Sequence, residues 1–255
     1  MRCVLAIAGV TWREAVRNRI LYSLLFFVVL LVAISAVLDQ MTMGQNGRVV
    51  LDLGLTLVHL FGALIAIFLG VAVISREIAR KTLYVVLAKP VGRTGFLAGK
   101  YLGLLATQAV LAGVMGAVLF LVALAFQPPP LVQYVYSVSM IWVELALLSA
   151  VALLFATFTG PFLSGMFTLG VFVIGHLTPG LKDLGVQSGS RLVEGVTTAL
   201  YYLLPNLELF NHKLEVTYRL PLDWGQTALS LGYAVGYGGM LFALAGVIFR
   251  LRDFK

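Results

Sequence analysis

Three histidines, one glutamate and one glycine-lysine pair are the residues here that could carry chemistry. The histidines are His59, His176 and His212. None has a second histidine or a cysteine at ligand spacing along the chain, so the spacing predicts no metal site. Gly99-Lys100 has the ending of a phosphate-binding loop. However, Thr94 stands where that loop needs its first glycine, and Tyr101 replaces the hydroxyl residue that would reach magnesium. ATP hydrolysis is therefore not expected in this chain. No pair of carboxylates lies within the apolar runs to share acid and base roles, which leaves an intramembrane enzyme as a minor alternative. Met41 and Met43 offer two thioethers, too few for a copper site. Cys3 is the single cysteine, so no intramolecular disulfide is available.

Glu144 is the most informative single residue. It is the one charge in an apolar run covering residues 134–158. An ionisable group at that depth in lipid costs a few kcal/mol, so it is expected to face protein rather than hydrocarbon. Two roles fit: a contact on a substrate or coupling pathway, or a structural hydrogen bond between helices. Gln108 and Tyr101 on the preceding run are the expected partners. His59, in an earlier run, reads as a hydrogen-bonded packing residue between helices.

The elements that must position these groups are membrane spans. Of 255 residues, 60% are hydrophobic and 11% charged, whereas a soluble domain carries about 25% charge. A span needs roughly 20 apolar residues. Runs of that kind cover residues 20–38, 53–75, 101–126, 134–158, 161–177 and 227–249. The first exceeds the apolar core of a cleavable signal and is expected to be a retained helix. The third stops at Gln127-Pro128-Pro129-Pro130, and Thr159-Gly160-Pro161 breaks what would otherwise be one overlong run. The expected fold is a single all-α integral membrane domain, 1–255, with six transmembrane helices.

Charge sets the expected orientation. With the N-terminus inside, the inner segments hold 13 of the 18 Lys and Arg residues and the outer segments 5, as the positive-inside rule requires. Both termini are then cytoplasmic in a multi-pass protein of the bacterial inner membrane. The net charge of +7 is a topology signal, and no nucleic-acid partner is expected. Residues 1–19 place Val4, Ala8, Trp12, Ala15 and Val16 on one side of a helix and Arg2, Arg13 and Arg17 on the other. That pattern suits an interfacial helix on anionic membrane lipid. Residues 178–226 form the longest outer segment. It includes an apolar stretch at 197–204, too short to span, that suits a re-entrant or interfacial helix before the last span.

The one substantial cytoplasmic loop, residues 76–100, reads REIARKTLYVVLAKPVGRTGFLAGK. Thr82 can cap a short helix. Leu83, Val86 and Leu87 fall at helical spacing as an apolar stripe, Pro90 ends it, and Arg80, Lys81, Lys89 and Arg93 flank it. Such a helix suits a groove on a soluble partner, and equally a basic loop held against anionic lipid.

Glu77, Thr82, Leu87, Pro90, Arg93, Gly99 and Lys100 resemble the loop after the second span in ABC-2 type permeases, with Lys81 where those permeases usually carry glycine. The layout of interfacial helix, six spans, inner termini and helical outer segment is similar as well. The resemblance implies that this loop is the coupling helix. It also implies that Glu77, Arg80, Thr82, Leu83, Val86, Leu87, Pro90 and Arg93 bind a separate ATPase subunit present in two copies, which supplies the ATP and Mg chemistry. The chain would pair with itself or with a paralogous permease and would more often export than import. Pro205-Asn206-Leu207-Glu208 resembles the branch containing the membrane subunit encoded with nitrous oxide reductase maturation genes. The same architecture could instead transmit ATPase motion to a periplasmic partner through residues 178–226 without passing a substrate.

Overall fold

A computed structural model describes residues 2–16, 19–39, 46–79, 92–126 and 128–251. Among the described residues every regular element is helical. The elements are α1 (Arg2–Val16), α2 (Arg19–Asp39), α3 (Asn46–Ala79), α4 (Arg93–Leu124), α5 (Leu131–Phe158), α6 (Pro161–Gln187), α7 (Arg191–Leu203), a 3-10 turn (Glu208–Phe210), α8 (Lys213–Thr217) and α9 (Trp224–Leu251).

Five helices, α3, α4, α5, α6 and α9, are long and apolar enough to cross a membrane. α2 is 21 residues long and, among the described residues, contributes a shorter apolar stretch, Leu24–Ile34. The helices follow the breaks in the sequence. α4 ends before the proline cluster, and α5 starts directly after Pro130. Between α5 and α6, Thr159 Oγ1 donates to the Phe155 carbonyl at 2.8 Å and lies 2.6 Å from Ser164 Oγ. The hairpin thereby satisfies polar groups that lipid would leave unpaired.

α5 is the central helix, packed against α3, α4, α6 and α9. Its inward residues Ile141, Leu145 and Leu148 join Leu55, Val58, Ala66 and Leu119 in the largest apolar cluster. On its other side Leu147, Ala150 and Val151 meet Val171, Leu207 and Leu241. α9, by contrast, exposes Leu229, Val235, Leu244 and Val247. In a membrane protein such a face meets lipid or another helix surface rather than water.

α1 packs against the start of α4. Gly99 and Gly103 make the crossing close: a Cβ on Gly103 would stand 2.7 Å from the Ala8 carbonyl oxygen, and one on Gly99 2.9 Å from that of Val4. Two glycines four residues apart let the backbones approach, as at other small-residue helix crossings in membranes.

The outer segment is folded. α7 packs on the end of α6. Leu207, Phe210 and Val216 then bury their side chains completely, and the Leu207 amide donates to the Gly175 carbonyl at 3.1 Å. Asp223 closes the segment as the cap of α9, its carboxylate accepting from the amides of Gly225 at 2.9 Å and Gln226 at 3.2 Å.

Candidate functional site

The base of the 76–100 loop is clamped at both ends. Arg80, Thr82, Leu83, Val86, Leu87 and Pro90 lie outside the described residues. Glu77, at the end of α3, accepts a hydrogen bond from Lys100 Nζ at 2.6 Å. Lys100 sits on α4, is 3% exposed, and also lies 3.7 Å from Glu14 of α1. One buried ammonium thus joins three helices around the loop. Arg93, in the first turn of α4, donates to the Arg250 carbonyl at 2.8 Å and the Phe249 carbonyl at 3.3 Å, satisfying two of the open carbonyls that every helix C-terminus carries. The loop ends therefore connect to α1, α3, α4 and α9. Gly99-Lys100 lies within a regular helical stretch, with the lysine engaged in ion pairs, which is not the geometry of a phosphate cradle.

The second constellation lies within the membrane. Glu144 is 1% exposed and is met by two histidines from two other helices. His59 Nε2, on α3, lies 2.7 Å from Glu144 Oε1, and His176 Nε2, on α6, lies 3.4 Å from the same oxygen. The two imidazole rings are 4.9 Å apart, and Phe172 covers both, its ring 5.6 Å from His59 and 4.7 Å from His176. The outer edge of the cluster is Lys213 of α8, whose Nζ lies 3.3 Å from His59 Nδ1. Burial lowers the Lys213 pKa from its ordinary value, and the negative charges of Glu144, Asp52 and Glu208 pull it back up.

Glu144 therefore faces protein, but its partners differ from those the sequence suggested. Gln108 donates to Ser149 Oγ instead, and the Tyr101 hydroxyl donates to the Ala146 carbonyl at 3.0 Å. Both residues do link α4 to α5, but at a different level. The physical reason is rotation about α5: Glu144 points toward α3 and α6, whereas Ser149 and the Ala146 carbonyl face α4. His176 was missed because a search for ligands along one helix cannot see residues 59, 144 and 176 converging. The one available signal was that each is a polar residue isolated in an apolar run.

His212 belongs to a separate outer cluster. Its Nδ1 lies 2.9 Å from Glu215 Oε1 and its Nε2 3.2 Å from the Tyr136 hydroxyl, which in turn lies 2.8 Å from Thr227 Oγ1. These bonds tie α8, α5 and α9 together beneath the outer segment.

A family model described as an ABC-2 family transporter protein matches residues 5–253. The match is to the family as a whole and does not single out the branch suggested by residues 205–208. A search of curated proteins finds no match. The match spans almost the whole chain, and the helices it covers are those described above: this multi-pass membrane protein belongs to the ABC-2 transporter family, as a permease subunit.

Proposed function

We propose that two such permease subunits, identical or paralogous, pair with two copies of a separate ATPase in the bacterial inner membrane and move cargo outward. The loop at 76–100 receives the ATPase, and both termini lie on the same cytoplasmic side. The observation that best supports this reading is the clamp at the loop's base. Lys100 with Glu77 and Glu14, and Arg93 with the end of α9, link the loop to four helices. A push on the loop would reach α1, α3, α4 and α9 together. An element that biases a whole bundle between two arrangements needs this property.

The test acts on the apolar stripe. Leu83→Asp with Leu87→Asp removes two apolar anchors and places two carboxylates in the interface. Losing the anchors costs about 2–4 kcal/mol of binding, and unpaired charge costs more. The variant should insert normally and lose the ATPase in detergent co-purification. Co-purification at wild-type yield would show that the stripe does not bind the ATPase.

A further inference from the structure

We propose that His59, Glu144 and His176 form a binding site for a divalent transition-metal ion of the zinc class, held between α3, α5 and α6 within the membrane. One imidazole nitrogen each of His59 and His176 and a carboxylate oxygen of Glu144 all lie within 4.8 Å of one another. Two histidines and one glutamate are a recognised three-ligand set for Zn²⁺, with a fourth position left open.

The geometry around His176 carries the proposal. Its Nδ1 is 2.9 Å from the Phe172 carbonyl, so that nitrogen bears the proton and Nε2 presents a lone pair. That Nε2 is fully buried and has no hydrogen-bond partner among the described residues, although a Glu144 oxygen stands 3.4 Å away. Two electron-rich groups thus face each other in a buried site, an arrangement that a cation between them relieves. A ring whose outer N–H is anchored on a backbone carbonyl, with its other nitrogen turned inward, is also the usual second-shell arrangement of a metal-bound histidine.

The spacing is compatible. Ligand atoms of a tetrahedral zinc site with bonds of about 2.0–2.1 Å stand about 3.3 Å apart. The His176–Glu144 distance of 3.4 Å already meets this, while the His59–Glu144 distance of 2.7 Å would open and the two imidazole nitrogens, within 4.8 Å, would adjust around the ion. Phe172 covers the imidazoles, and that apolar shield strengthens charge–ligand attraction. His59 meets Lys213 through Nδ1, so its Nε2 proton points to Glu144. A metal ion takes the place of that proton, and acid therefore competes with loading.

Metal binding here requires neither an ATPase partner nor cargo. The full-length chain in detergent is titrated with Co²⁺ alone, then with Zn²⁺ in competition. The expected result is one equivalent of Co²⁺ per chain, with the intense visible absorption of a four-coordinate site, displaced by Zn²⁺. His176→Ala and Glu144→Gln should each weaken binding about 100-fold or more, since even second-shell changes cost 10–100-fold. His212→Ala should leave it unchanged, because His212 pairs with Glu215 and Tyr136 in a separate outer cluster. His176→Ala is the decisive variant: the one hydrogen bond it removes is the local bond to the Phe172 carbonyl on the same helix, and a gel-filtration profile checks that the fold is retained. Absence of stoichiometric Co²⁺ binding, undiminished binding in His176→Ala, or loss of binding in His212→Ala would each overturn the site.

Discussion

Gly103→Ala should loosen α1 from the bundle without disturbing α4. A Cβ at that position would lie 2.7 Å from the Ala8 carbonyl oxygen and 2.6 Å from Thr11 Cβ. Ordinary contact begins near 3.4 Å, so α1 must retreat by roughly 0.7 Å, and a backbone carbonyl cannot swing aside as a side chain can. Overpacking of this kind costs about 1–3 kcal/mol. Alanine also favours helix over glycine by about 1 kcal/mol. That gain acts on α4 whether α1 is docked or not, so it cancels from the local opening of α1. Taking about 2 kcal/mol, the open population of α1 rises about 30-fold. Amide hydrogen exchange reads this directly, because exchange in a locally opening element follows its opening free energy. The matched control is Gly113→Ala on the same helix, where an added Cβ meets nothing within 4 Å. Exchange across residues 4–16 should accelerate in the first variant and stay at the wild-type rate in the second. Equal exchange in the two variants would refute the claim that a close backbone crossing holds α1 in place.

A reporter active only in the periplasm, fused after Lys255, should give no signal, because 13 of the 18 Lys and Arg residues fall on the inner side of the assigned topology; a strong signal would require an odd number of spans. Glu144→Leu should lower the melting temperature in detergent, since it removes a buried 2.7 Å bond to His59 of a class worth about 1.5–3 kcal/mol. Glu144→Gln should lose much less, and equal melting of the leucine variant and wild type would show that the bond contributes nothing to the fold. Arg93→Met should speed exchange at the end of α9 about fivefold. It removes the 2.8 Å bond to the Arg250 carbonyl, worth about 1 kcal/mol, and no change there would remove α9 from the set of helices tied to the loop base.

Sequence alone carried the spans, because hydrocarbon imposes a length and a composition that few other structures share. The proline cluster at 128–130 and the Thr159-Gly160-Pro161 break were local events, decided by residues that cannot continue a helix, and α4, α5 and α6 end and begin there. The isolation of Glu144 in an apolar run predicted a protein partner by energy alone, and the structure provides one. What the one-dimensional pattern could not decide was which helix face meets which. Rotation about α5 directs Glu144 to His59 and His176 while Gln108 goes to Ser149. Residues separated by 85 positions in the chain become hydrogen-bonded neighbours only once three helices have packed. The same holds for Lys100, whose partners Glu77 and Glu14 come from α3 and α1, and for the two glycines that let α1 lie across α4. Span length is set by the solvent and can be read residue by residue. Helix rotation and crossing are set by side-chain packing over the whole bundle, and only the tertiary structure decides them.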